Sequence, residues 1–166
     1  MKILNGNALK YGDNINTDII SPPQYMELSI EEAAAYAMSA VDPDFSKRTK
    51  KGDIFVAENN LGSGSSRETS PLTLKYLGIS CVIAKSFARI FYRNCINVGI
   101  PAIECEDTDR IGDGDELKID IINGRIDNLT RGESYFCGKL PEHILAIIQA
   151  GGMFEYLKRN RENQNE

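Results

Sequence analysis

The sequence has a single histidine, His143, and no pair of cysteines at the short spacing that metal sites use. Cys81, Cys95, Cys105 and Cys137 are scattered, and three of them fall in apolar stretches (SCVIA, RNCINV, AIECE), where free thiols are commonly buried. The chain is therefore expected to bind no metal and to form no disulfide of its own. No apolar run approaches the roughly 20 residues of a membrane-spanning helix, and the N-terminus, MKILNGNALKYGD, lacks the apolar core of a secretory signal. These absences predict a soluble, cytoplasmic protein. An excess of positive charge is missing too. The 19 basic and 24 acidic side chains give a formal net charge of −5, which disfavours non-specific attraction to nucleic acid or an anionic membrane. An anion bound here must be held by local groups.

What is present reads as one α/β domain over residues 1–166, with 42% hydrophobic and 26% charged residues. The opening KILNGNALK predicts a strand, followed by an irregular loop up to Ser21-Pro22-Pro23. Ser29 with Glu32 three residues on forms a capping box ahead of an Ala-rich run, which predicts a helix over SIEEAAAYAMSAV. A strand at Ile54 to Ala57, a short helix closed by Gly78, a continuous apolar strand in SCVIAKS, a helix in FARIFYRNCINVG and a strand in VGIPAIEC follow. Phe87, Ile90, Phe91 and Cys95 are expected on the packed side of that second helix. Strand and helix alternating in this way predict βαβ units and a parallel sheet. Beyond Gly112 the pattern changes to strands joined by a tight Asn123-Gly124 turn, an antiparallel hairpin or small second sheet. Two helical pieces parted by Gly151-Gly152 end the chain, with a polar tail at about 160–166 that is expected to fray.

The stretch NLGSGSSRETSP, residues 60–71, stands between a predicted strand and a predicted helix, where free backbone N–H groups and the helix dipole favour an anion. Known phosphate motifs do not fit it. A Walker loop needs Lys-Ser/Thr after its last glycine, and the dinucleotide fingerprint needs a glycine where Arg67 stands. No glycine follows Ser63 or Ser65 at the spacing of a hydrolase elbow, and the distant His143 makes a poor serine partner. What remains is a serine pair beside Arg67, whose guanidinium can fork onto a carboxylate. Partial positive charge from N–H groups would favour a serine alkoxide, and so removal of a proton beside that carboxylate. The residues alone also allow a plain Gly/Ser turn with a surface arginine.

Three stretches occur in order: YGDNINTDIISP (11–22), NLGSGSSRETSPLTLKYLGI (60–79) and VIAKSFARIFYRNCINVGIP (82–101). Together with the closing AGGMFEYLKR (150–159) they resemble the 3-isopropylmalate dehydratase small subunits of the aconitase superfamily. The resemblance implies a swivelling β/β/α three-layer domain with a largely parallel sheet and a smaller antiparallel portion. It implies a hydro-lyase that is active only with a large subunit, which carries a 4Fe-4S cluster on three cysteines of its own. Cluster chemistry in this family is Lewis-acid binding of a 2-hydroxy dicarboxylate, while a serine of the swivelling domain abstracts a proton. Carried over residue by residue, Ser65 matches the serine base. Ser66 and Arg67 match substrate-binding positions, and Asp18 an active-site aspartate with an orienting or proton-handling role. Gly62 and Gly64 would permit close backbone approach, and Arg89 and Arg93 could support the loop from behind or be solvated structural arginines.

Two departures stand out. Thr69 occupies a position where the family commonly has histidine. In PPQYMEL (22–28), Tyr25, Met26, Glu27 and Leu28 fall on the segment that reads the substrate's variable substituent. Met26 and Leu28 suit an alkyl group, and Glu27 would repel an additional carboxylate, which disfavours homoaconitate and citrate. Isopropylmalate in leucine biosynthesis is the leading substrate; citramalate or 2,3-dimethylmalate types stay open, as does a non-catalytic anion-binding module. A partner-facing surface makes self-association of the isolated chain an expectation.

Overall fold

The computed structural model describes residues 3–165. Strand β1 (Ile3–Lys10) is shared by two kinds of pairing. Its second half runs parallel to β2 (Ile54–Val56), with Ala8 opposite Ile54, and its first half runs antiparallel to β5 (Glu116–Asp120), with Ile3 opposite Asp120. Adding β3 (Cys81–Ala84), β4 (Ala102–Glu104), β6 (Arg125–Asn128) and β7 (Glu133–Phe136) gives one seven-stranded sheet in the order β4-β3-β2-β1-β5-β6-β7. The parallel part and the antiparallel part are thus halves of a single sheet, with three pairings of each kind. The sheet curls until its edges meet: the Gly138 N–H beyond β7 donates to the Glu104 carbonyl of β4 at 2.8 Å.

Burial follows the sequence pattern. Strands β2 and β3 are buried at every position, as continuous apolar runs require, whereas β5 alternates exposed Glu116 and Lys118 with buried Leu117 and Ile119. The turn from β5 to β6 spans residues 121–124; the Asp120 carboxylate accepts from the Ile122 and Asn123 N–H groups, and Gly124 takes φ +71°.

The helices are α1 (Thr17–Ile20), α2 (Ile30–Ala34), α3 (Phe45–Arg48), α4 (Thr69–Tyr76), α5 (Arg89–Asn97), α6 (Glu142–Gln149) and α7 (Met153–Gln164). Two expectations are corrected. The helix opened by Ser29 ends at Ala34 rather than Val41. Met38 has φ +60° and gives its N–H to the Ile20 carbonyl, so a tertiary contact replaces the helical bond. On α5, Ile90 is 49% exposed, and Phe91, Asn94, Cys95 and Ile96 form the buried face. The polar tail continues α7 as far as Gln164. Among the described residues no helix is long and apolar enough to cross a membrane.

Loops leaving the C-terminal ends of β1, β2 and β3 converge, as ligand sites on parallel sheets do. Asn14 N–H donates to Asn59 O, Gly62 N–H to Ile15 O, Leu61 N–H to Ser86 O and Ala88 N–H to Leu61 O, all within 3.0 Å. This convergence gathers residues 14–18 and 60–67.

Candidate active site

Leu61 is fully buried and forms an isolated bridge with Phe87, which fixes the start of the Gly/Ser loop. Gly62 follows at φ +87°, lying so close over Phe91 that a Cβ would overlap the ring. Gly64, at φ +112°, passes over Thr17, where a Cβ would stand 3.0 Å from the Thr17 Oγ1. Gly62 is therefore required by contact as well as by backbone angle, and Gly64 by backbone angle with a tight contact beside it.

Ser65 is held at both ends. Its N–H donates to Thr17 Oγ1 at 2.9 Å, while its Oγ accepts from Arg67 Nε at 2.8 Å and from the Arg67 backbone N–H at 3.2 Å. The backbone bond is the local turn that a serine makes two residues on. Helix α4 begins only at Thr69, with no side-chain cap on Glu68, so the donors on Ser65 come from Arg67 and not from the free end of the helix as the sequence suggests. An oxygen that accepts a guanidinium N–H and an amide N–H is better able to bear negative charge, because both bonds strengthen when its proton leaves.

Arg67 NH2 lies 3.9 Å from Asp18 Oδ1, a pair with both side chains substantially exposed and so of small energetic weight. Ser66 is exposed, and its carbonyl accepts from Asn94 Nδ2 at 2.9 Å. Ser65, Ser66, Arg67 and Asp18 are thus brought together. Arg89 and Arg93 are not: both are exposed, and neither bonds to the loop among the described residues. The support from α5 comes from Phe91 and Asn94. Thr17 and Asn94 are the residues that sequence reasoning misses. Their signal is only that each is a polar residue at a position that turns out to be buried.

Arg67 also lines a crevice of ≈30 Å³ with Met26, Leu28, Ile30 and Ala33 as apolar wall and Ser21, Thr69 and Thr73 as hydroxyl neighbours. Tyr25 borders it and stacks on Tyr36 at 3.8 Å between ring centroids, 9° from parallel. Glu27 is exposed and does not line the crevice, so the repulsion expected of it is not directed there. A larger groove, ≈460 Å³, includes Phe87, Arg89, Tyr92 and Lys139 but no residue of the loop.

Among the described residues no three His, Cys, Asp or Glu side chains come together as metal ligands. All four cysteines are free. Burial pushes the Cys81 and Cys95 thiols well up, and with help from the neighbouring Cys105 it pushes Cys137 up to about 12. The cysteines do not converge in threes among the described residues, which does not fit an iron-sulfur cluster.

Residues 6–108 match the family described as the aconitase C-terminal domain. The chain is 48% identical over 157 residues to the 3-isopropylmalate dehydratase small subunit of Methanosarcina acetivorans, covering 94% of this chain and 97% of that one. It is 51% identical over 159 residues to the isopropylmalate/citramalate isomerase small subunit of Methanocaldococcus jannaschii, covering 95% of each. The crystal structure of a 3-isopropylmalate dehydratase from Methanocaldococcus jannaschii superposes with a TM-score of 0.94 at 41% identity and covers 98% of both chains. With the fold and nearly the whole length shared, the chain belongs to the aconitase C-terminal domain family, among the small subunits of 3-isopropylmalate dehydratases.

Proposed function

We propose that the chain works with a large subunit to remove and restore water on a 2-hydroxy dicarboxylate, interconverting 2- and 3-isopropylmalate in leucine biosynthesis. The observation that carries this reading is the paired donation of Arg67 Nε and N–H to Ser65 Oγ. Ser65 acts as its alkoxide, stabilised by the two Arg67 donors, takes the proton from the carbon beside a substrate carboxylate and so becomes the neutral hydroxyl. The remaining N–H groups of the guanidinium fork onto that carboxylate, with Ser66 beside them. In the hydration direction the protonated Ser65 returns its proton. An iron-sulfur cluster held by the large subunit would supply the Lewis acid for the departing hydroxyl.

The crevice supports an alkyl-malate. Its ≈30 Å³ makes it a small crevice, of a size for a short alkyl substituent rather than a large group. An additional carboxylate would meet Met26, Leu28, Ile30 and Ala33, with no cation besides Arg67 among the described residues of the lining. A citramalate substrate would fill the crevice only in part, and the name of the Methanocaldococcus jannaschii relative keeps that second substrate in view.

The test is anaerobic co-purification with the large subunit and assay of alkylmaleate hydration for the native chain and Ser65→Ala. The expected result is assembly of both and loss of at least about 100-fold in turnover for Ser65→Ala, within the range general-base catalysis supplies. Full turnover in an assembled Ser65→Ala complex would reject Ser65 as the base.

A further inference from the structure

We infer that Thr17 is the positioning residue for Ser65, through the bond from the Ser65 N–H to Thr17 Oγ1 at 2.9 Å. Thr17 is only 3% exposed, and its hydroxyl serves no local purpose in its own helix: Asn16 is the cap of α1, accepting from the Ile19 N–H, and the Thr17 carbonyl takes the Ser21 N–H. The hydroxyl is turned instead to a loop 48 residues away in the chain. Three further contacts fix Thr17 against that loop. Its N–H donates to the Ser63 carbonyl at 2.9 Å, its carbonyl accepts from Ser70 Oγ at 3.2 Å, and Gly64 lies so near its Oγ1 that a Cβ there would be crowded.

Thr17 therefore grips the chain on both sides of Ser65. The backbone bonds set the course of the loop, while the hydroxyl sets the peptide plane before Ser65 and hence where its Cβ, and the Oγ it carries, is placed. Rotating that plane would carry Oγ off the Arg67 Nε. A base must sit within hydrogen-bond reach of the proton it removes, and a misplacement of about 1 Å can cost about 100-fold in rate. Because Thr17 does not line the crevice and its hydroxyl bonds to the Ser65 N–H, loss of that hydroxyl should act on the chemical step and leave substrate binding nearly unchanged.

The rate argument rests on the proposed function; the anchoring does not. Thr17→Val removes the acceptor while keeping the shape and both backbone bonds, and Thr17→Ser keeps the acceptor while losing a methyl. Both are assembled with the large subunit beside Ser65→Ala. Amide hydrogen exchange at Ser65 is measured on each chain. The expected results are faster Ser65 exchange in Thr17→Val, by about tenfold, and a fall in kcat of about 10- to 100-fold with KM within about twofold. Thr17→Ser should restore both. Unchanged Ser65 exchange in Thr17→Val overturns the inference. So do an unchanged kcat beside an inactive Ser65→Ala, and equal losses in the valine and serine variants, which would mean that the methyl packing matters instead. A fully active Ser65→Ala complex would reject the base assignment, and the exchange measurement would still decide whether Thr17 holds the loop.

Discussion

Replacing Gly62 by alanine should destabilise the chain through two separable effects. At φ +87° an L-residue is strained by about 1–2 kcal/mol. The new methyl would also overlap the Phe91 side chain, which is 1% exposed and cannot withdraw into solvent. Overpacking of this kind costs about 1–3 kcal/mol. The residue cannot slide away either, because its N–H is tied to the Ile15 carbonyl at 2.7 Å. The sum, about 2–5 kcal/mol, is a large part of the 5–15 kcal/mol by which domains are typically stable. Phe91→Ala alone should cost about 3–5 kcal/mol for an emptied core site. In the double variant the overlap with the ring carbons is gone, but the Cβ of residue 91 still crowds the new methyl, so backbone strain and part of the overlap both add. The pair should then be less destabilising than the sum of the singles by about 1 kcal/mol, the share of the overlap that the ring makes. Urea unfolding of the native chain, the two singles and the double, with equal m-values, measures this coupling. Additivity within about 0.5 kcal/mol would refute the claim that Gly62 is glycine because Phe91 lies beneath it.

Two further outcomes are expected. Arg67→Lys in the assembled enzyme should weaken substrate binding by about tenfold and lower turnover as well, because an ammonium can neither fork onto a carboxylate nor reproduce the Nε contact to Ser65. Unchanged kinetic constants would count against both roles. Glu58 is desolvated by burial, but hydrogen bonds from Lys10 and Thr108 and the charges of Lys10 and Lys85 outweigh this and hold its carboxyl below the usual 4.5. A lowered folded-state value means stability that is present above pH 4.5 and lost as pH falls through the folded value. Glu58→Gln should therefore be less stable than the native chain at pH 7, and the gap should close towards pH 3. A gap that stays constant with pH would remove Glu58 from the account.

Periodicity carries the secondary structure well where one short-range rule acts alone. The buried runs around Val56 and Val82, the alternation at 116–120 and the serine cap at residue 29 are all legible in this way. Reading fails where a long-range contact wins. The Ala-rich segment has every local reason to continue as helix, yet Met38 bonds to Ile20 and packs in the core. On α5, a helical wheel treats Ile90 and Phe91 alike, and only the position of Gly62 decides which of them is covered. The same applies to the site: Ser65, Arg67 and Asp18 are legible as chemistry-bearing types in recognisable motifs, whereas Thr17 and Asn94 carry no mark in the sequence that separates them from any other small polar residue.

The sequence by itself determines the βαβ alternation, the family and the serine-arginine loop, because propensity, hydrophobic period and motif are properties of neighbouring residues. The tertiary structure decides which donors face Ser65 Oγ, that the donor is Arg67 and not a helix end, and that the crevice joins Arg67 to Met26 and Leu28. It also decides that Thr17 and Phe91 support the loop from beneath. These are relations between segments tens of residues apart, and they exist only once packing has brought the ends of β1, β2 and β3 to one place.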